Sequence, residues 1–302
     1  MAMSKPVTKA VIAAAGFGTR FLPQTKAMPK EMLPVIDKPI IQYVVEELVE
    51  AGIKDIIIIT GYSKRSIEDH FDTPNEDLLV NLRMGGVKKE HQLHEIEALA
   101  NLANFIYVRQ RGSYGTAAPI RSVKHLIGDE PFIYTFADDF FDASPSRTKQ
   151  LIEAYNKYNA SVFACKRVLS DADYDRYGIV GGKSLTDNIL EVDKILEAPG
   201  KAEAPSDLAS VSGYLLMPEI FNYIDQAETE LTVGTEFRIQ PIMQKMIDDG
   251  IPFIGCEIKN GTYHDTGNKL EYLKTVVEFA IKHQDLGPEF REFLRGVDLG
   301  ND

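Results

Sequence analysis

Two glycines, an arginine and two lysines crowd one short stretch of the chain: Gly16-Phe17-Gly18-Thr19-Arg20, then Lys26 and Lys30. These residue types suit a phosphate. Glycines let the backbone approach an anion closely and turn N–H groups toward it. Arginine offers a planar fork matched to phosphate oxygens, and lysine adds a point charge. Two familiar phosphate loops do not fit the spacing. A Walker A loop needs Gly-Lys-Ser/Thr at its end, but Gly18 is followed by Thr19-Arg20. A dinucleotide fingerprint needs a third glycine where Phe21 stands, and an acidic residue where Thr60-Gly61-Tyr62 stands.

The surrounding elements must hold these groups in place. Lys9 to Ala15 reads as a first buried strand, and "DIIIIT" from Asp55 reads as a second, with a helix between Asp37-Lys38-Pro39 and Gly52. A strand, a crossover helix and a parallel strand make a handed α/β unit. Pro23, Pro29, Pro34 and Pro39 forbid a helix interior between them, which leaves a connection of about twenty residues, far beyond the usual 2–6. Loops that long are usually functional. The alternation continues with a helix at 64–71, a polar helical insertion at 75–102 and a strand at 105–109. A helix at 116–127 follows, and then a strand at 132–136 that ends in Ala137-Asp138-Asp139. Asp138 therefore stands at a strand's carboxyl end, where open α/β sheets bind ligands. Beyond a helix at 147–158 and a strand at 161–167, the pattern predicts strands at 210–216 and 252–257 around a helix at 236–248.

The expected architecture is a Rossmann-like, mostly parallel twisted sheet flanked by helices. The chain divides into an α/β core at 1–168, a β-rich insertion at 169–209, the remainder of the core at 210–267 and C-terminal helices at 268–302. Those last helices are an expected oligomer contact. Composition is that of a globular protein, with 44% hydrophobic and 26% charged residues. A net charge of −12 argues against nucleic acid and anionic membrane surfaces as partners. Between Arg20 and Lys38, however, four basic residues face only Glu31 and Asp37, a local patch able to take a polyanion. Cys165 and Cys256 lie far apart and outside any CxxC, as expected of free thiols in a reducing cytoplasm, and the N-terminus lacks a secretory apolar segment. His91 and His94 sit in a polar helix and read as a solvated face.

The motif G-x-G-T-R-x-x-P, followed by "PKEMLP" and "DKPIIQYVV", resembles the sugar-1-phosphate nucleotidyltransferases, and among them the bacterial enzymes that join UTP to glucose 1-phosphate. "IEDHFD", "VRQ", "RYGIV" and "HDTGNKLEYL" extend the resemblance over nearly the whole chain. It implies transfer of UMP from UTP to glucose 1-phosphate, with magnesium, in a homodimer or homotetramer. Arg20 and Lys30 would act on the triphosphate as the catalytic cations. The nucleotide would also meet Ala15, Gly16, Gly18, Thr19 and Lys26, with Glu31 and Gln110 on the base and Gly115 leaving room beside it. Gly178 and Glu197 would contact the sugar phosphate, the insertion thus lying on the sugar side, and Asp138 and Asp265 would hold the metal, with Asp139 the adjacent alternative. Gly267 and Asn268 would cap the next helix, with Glu271 reaching back.

The match breaks at three places. Glu197-Ala198-Pro199 stands where the family usually has Glu-Lys-Pro, which removes a charge expected at the sugar phosphate and leaves Lys194 or Lys201 to replace it. "GTAAP" replaces a glycine-rich "GLGHA", and "GTEFRIQP" replaces "GDEIQLTD". These departures leave open dTTP or another sugar phosphate as substrate. They also leave open a catalytically weak regulatory paralogue.

Overall fold

The structure is a computed structural model that describes residues 4–232, 234–298 and 300. It begins with β1 (Lys9–Ala14), a small ribbon of β2 (Pro34–Val35) and β3 (Lys38–Pro39), helix α1 (Ile40–Glu50) and β4 (Asp55–Thr60). Helices α2 (Arg65–Phe71), α3 (Glu76–Met84) and α4 (Glu90–Leu99) lead to β5 (Asn104–Arg109). Single-turn helices α5 (Ala118–Arg121) and α6 (Lys124–Ile127) precede β6 (Phe132–Phe136) and β7 (Phe140–Ala143). Next come α7 (Arg147–Tyr158), β8 (Ser161–Arg167), the turn α8 (Asp171–Tyr174), and strands β9 (Gly178–Thr186), β10 (Ile189–Glu197) and β11 (Leu208–Leu216). The chain closes with α9 (Ile220–Glu230), α10 (Ile239–Asp248), β12 (Phe253–Glu257), β13 (Gly261–His264), α11 (Lys269–Lys282) and α12 (Gly287–Gly296).

Nine strands form one sheet in the order β5-β4-β1-β6-β11-β8-β12-β10-β9. The pairings β5–β4, β4–β1, β1–β6 and β8–β12 are parallel, and those made by β11, β10 and β9 are otherwise antiparallel, so the sheet is mixed. Strand alternation sends Ile12, Ile56 and Ile58 to the α1 side, and Val11, Ile57 and Ile59 to the face under α5, α9 and α10. That is why "DIIIIT" is apolar at every position. In register, Ala14 faces Thr60 and Thr60 faces Arg109, so the parallel strands end along one edge.

Several expectations change. The proline-rich connection is not structureless: single 3-10 turns form at Thr19–Phe21, Gln24–Lys26 and Lys30–Met32. Prolines block helix interiors, but Pro23 and Pro29 sit just before a turn, where no N–H is needed, and their carbonyls accept from Lys26 N and Met32 N. The stretch read as an insertion, 169–209, carries β9 and β10, which hydrogen-bond into the main sheet through β11 and β12. The helix expected at 116–127 breaks at Ser122-Val123, where Ser122 Oγ back-bonds to Ala118 O. Helix α10 starts at Ile239 rather than Glu236, because the Phe237 backbone bonds Tyr114 O and Ala117 N instead. Helix α9, amphipathic and buried through Ile220, Phe221 and Ile224, was not anticipated.

Candidate active site at the edge of the parallel strands

A cavity of about 500 Å³ opens where β1, β5 and β6 end. Ala15, Gly16, Gly18, Thr19, Arg20, Lys30, Glu31, Gln110, Gly115 and Asp138 line it, so most of the residues singled out from sequence come together. Lys26 is exposed and not in the lining; its 3-10 turn carries it outward. Gly178, Glu197 and Asp265 stand beyond this lining, on neighbouring elements.

The loop after β1 is shaped by its own side chains. Gly18 is left-handed (φ 65°), and its carbonyl accepts from Thr25 Oγ1 at 2.7 Å and Phe21 N at 2.9 Å. A Cβ there would press on Thr25 and Lys30, so glycine is needed for both reasons. Arg20 Nη1 reaches Gly267 O at 3.5 Å across the cavity. Lys30 Nζ donates to Asp138 Oδ2 at 2.5 Å. Burial pulls the Lys30 ammonium down, but Asp138, Glu31 and Asp139 outweigh it and leave its pKa raised. The lysine is thus fully charged at neutral pH, and its pairing is lost only above the ordinary lysine range.

Asp138 and Asp265 converge on Gly267. A Cβ on Gly267 would lie 2.6 Å from Asp138 Oδ2 and 3.4 Å from Asp265 Oδ1, so the glycine keeps a small space between two carboxylates. Thr266 Oγ1 fixes the geometry by donating to Asp138 O at 2.7 Å. Among the described residues no cluster of three or more metal-type ligands is found. Two carboxylates fit magnesium nonetheless, since waters and phosphate oxygens ordinarily complete its shell.

Behind them lies a half-buried aromatic support. Tyr177 Oη donates to Asp265 Oδ2 at 3.0 Å, and Tyr263 Oη to Asp139 Oδ2 at 2.8 Å. Lys166 Nζ lies 4.7 Å from the Tyr177 ring centre and 5.5 Å from that of Tyr263, and is paired with Asp173. Burial, then the charge of Asp138, pushes the Asp139 carboxyl up to about 7; burial also raises Asp265. Asp139 therefore faces Tyr263 rather than the Gly267 space. Neither tyrosine was given a role from sequence, although Tyr177 lies within "RYGIV" and Tyr263 immediately precedes "HDTGNKLEYL".

Two residues expected at the base, Glu31 and Gly115, line the cavity and are also engaged by protein. Glu31 is fully buried and both its oxygens bind Lys64 Nζ, at 2.7 and 2.9 Å, so its carboxylate is committed to α2's approach. Burial raises its pKa, and Lys64 then Lys30 pull it back. Gly115 (φ 121°) is required first by protein: a Cβ would meet Phe237 O at 2.3 Å. Gln110 sits at the end of β5, its amide N–H toward Ser113 O at 3.3 Å, which a ligand can displace. Phe17 and Tyr114, both exposed and 5.6 Å apart, form an aromatic mouth. The Phe between two loop glycines was the available signal.

On the sugar side Gly178 pairs with Glu197 across β9–β10, and a Cβ on Gly178 would come within 3.1 Å of Glu197 Oε2. Glycine makes room for that carboxylate. Asn268 caps α11 as expected, accepting from Leu270 N and Glu271 N, whereas Glu271 pairs with Lys274 instead of reaching back.

Comparison with known proteins accords with this geometry. Residues 9–280 match a family model described as nucleotidyl transferase. The UTP–glucose-1-phosphate uridylyltransferase of Bacillus subtilis is 40% identical over 293 residues, 97% of this chain and 98% of the relative. The UTP-bound UGPase of Acinetobacter baumannii superposes with a TM-score of 0.86 at 32% identity, covering 97% of this chain and all of that one. A UDP-glucose pyrophosphorylase complexed with UDP-glucose gives 0.81 at 35% identity, over 92% of this chain and all of that one.

Proposed function

The chain belongs to the nucleotidyl transferase family, and from that premise we propose that it transfers UMP from UTP to glucose 1-phosphate, giving UDP-glucose and pyrophosphate. The observation that carries this reading is the likeness to a uridylyltransferase over 97% of the chain. An oxygen of the sugar phosphate forms a bond to the α-phosphorus of UTP, and the bond from that phosphorus to the bridging oxygen of pyrophosphate breaks. A phosphate monoester has its second pKa near ~6, so the nucleophile is already mostly a dianion and no general base is required. The protein's work is positioning and charge compensation. Arg20 and Lys30 face the triphosphate from the loop, while Gly16 and Gly18 bring backbone N–H groups close. Gln110 reads the pyrimidine edge, and Phe17 with Tyr114 covers the base. Glu197 accepts from sugar hydroxyls. Asp138 and Asp265 would hold magnesium, which when bound neutralises phosphate charge. Lys30 exchanges Asp138 for a phosphate oxygen as substrate enters.

Pyrophosphate release with glucose 1-phosphate, magnesium and each nucleoside triphosphate in turn tests the reading. UTP is expected to be preferred over dTTP, ATP, CTP and GTP by at least tenfold. Binding of UTP with no release for any pair would overturn it in favour of a regulatory paralogue.

The protein is also proposed to be a cytoplasmic homo-oligomer. Both cysteines are buried and unpaired, which supports a reducing setting, and no helix among the described residues is long and apolar enough to cross a membrane. On α11, Leu270, Leu273 and Val277 are exposed at spacings that share one face, near exposed Leu286 and Phe293 at α12. Light scattering is expected to give a dimer or tetramer mass that Leu273→Asp lowers; a monomer at micromolar concentration would rule this out.

A further inference from the structure

We propose that Arg238 receives the phosphate of the sugar 1-phosphate, exchanging Glu236 for that dianion beside Glu197. The inference rests on the uridylyl-transfer reading above and names the residue that holds the nucleophile.

The charge around the entering phosphate poses the problem. Glu197, Glu236, Asp138 and Asp265 all border this side, and a dianion cannot settle among carboxylates without a cation. Most neighbouring cations are committed. Lys30, bonded to Asp138, is taken up by the triphosphate in the reading above, and Lys166 is packed between two tyrosines and paired with Asp173. Arg176 lies 3.8 Å from Asp265. Lys201 pairs at 2.9 Å with Asp171, which does not line the cavity, whereas Glu236 does. Lys194 and Glu197 are three residues apart on β10, so strand alternation sends them to opposite faces. Ala198 carries no charge. Neither lysine named from sequence can serve.

Arg238 is brought to the right place by α10. Gln244 on that helix accepts from Ile195 N at 2.7 Å and donates to Asp193 O at 3.3 Å, which docks α10 along β10. Arg238 is the residue before the helix, about 9 Å along its axis from Gln244. Glu197 is two residues beyond Ile195, about 7 Å along the strand. Burial raises the Glu197 carboxyl, and the charges of Arg238 and Glu236 then act on it in opposite directions, the first lowering and the second raising it. The backbone around Arg238 is fixed, with Phe237 bonded to Tyr114 O and Ala117 N, and Ile239 N to Thr116 Oγ1 at 3.0 Å.

Only the side chain is free to change partners. Arg238 Nε and Nη2 both lie 2.9 Å from a single oxygen, Glu236 Oε2, with each side chain about half exposed (52% and 50%). An exposed ion pair of that kind is weak, whereas a guanidinium on a phosphate makes two parallel charge-assisted bonds. The exchange therefore favours the phosphate. Glu236 also lines the cavity, so its release opens the route by which the sugar phosphate enters.

The test is Arg238→Gln, read by steady-state kinetics and by calorimetric titration with glucose 1-phosphate and with glucose. KM for glucose 1-phosphate is expected to rise about 10- to 100-fold, with KM for UTP unchanged. Affinity for glucose should not move, and Arg238→Lys should restore part of the loss. Glu236→Gln, which frees the arginine, is expected to lower KM for glucose 1-phosphate. Unchanged glucose 1-phosphate affinity in Arg238→Gln, or an equal loss toward glucose and UTP, would overturn the proposal. A wild-type protein that releases no pyrophosphate would instead defeat the uridylyl-transfer reading, and the glucose 1-phosphate titration would still decide the role of Arg238.

Discussion

Lys30→Met is expected to give a folded protein whose kcat is lower by about two to three orders of magnitude. The ammonium stands on a 3-10 turn between the loop after β1 and Asp138, the carboxylate proposed to hold magnesium. Its charge is most useful when the pentavalent transition state gathers negative charge on the α-phosphate, so the loss belongs mainly to kcat. KM for UTP should change less than tenfold, because Arg20 and the loop N–H groups remain. The same substitution removes the cation that competes for Asp138. Divalent cation affinity in the absence of substrate, read by Mn²⁺ titration, should therefore rise while turnover falls. A parallel fall in both, or a kcat within threefold of wild type, would show that Lys30 is not the catalytic cation.

Arg147→Met is expected to destabilise the fold by about 3–5 kcal/mol, because it leaves a charge buried without its partner. At this chain length that corresponds to a Tm lower by roughly 5–8 °C. Arg147 is fully buried at the start of α7. Its Nε donates to Glu47 Oε1 on α1 at 3.0 Å, and Nη1 to Thr135 Oγ1 at 3.0 Å, to Ser212 Oγ at 2.6 Å and to Ser212 O. Four segments thus meet at one guanidinium. One of them is the Ser212-Gly213 bend, both residues with positive φ, where β11 crosses β6 just before Asp138. Glu47 would keep only the Thr148 N–H and hydroxyl. Removing both charges in Arg147→Met with Glu47→Leu should recover most of the lost stability, as apolar replacements of buried pairs often do. Thermal and urea unfolding of the single and double variants decide the point; an Arg147→Met protein within 1 kcal/mol of wild type would show the network to be dispensable.

The parallel half of the sheet was readable because its signal is local and strong. "KAVIAA" and "DIIIIT" are apolar on both faces, and only a strand buried on both sides has a use for that pattern. The loop between them was readable through its outlying length, its prolines and its cations. What the residues could not show was partnership. Glu31 looked like a group for the base, but Lys64, thirty-three residues away, takes both its oxygens. Gly115 looked like space for a ligand, and the Phe237 backbone fills it. The stretch at 169–209 looked detached because it is rich in Gly, Asp and Pro and its apolar pattern is broken. Its strands join the sheet through β11 and β12, neither of which adjoins β9 in the chain.

The sequence by itself determined the kind of chemistry. Gly16, Gly18, Arg20 and Lys30 suit a phosphate by residue type, and Asp138 is placed by the end of its strand. These follow from backbone freedom, charge and periodicity, which act over a few residues. The tertiary structure alone decided which charges face one another. Asp138 and Asp265 meet at Gly267 only because the β7–β13 ribbon returns the chain to the cavity. Arg238 is paired with Glu236 just before α10, a helix that only folding docks along β10 through Gln244. A charge acts through space while a sequence orders residues along a line, so the compensation of each carboxylate was settled by folding.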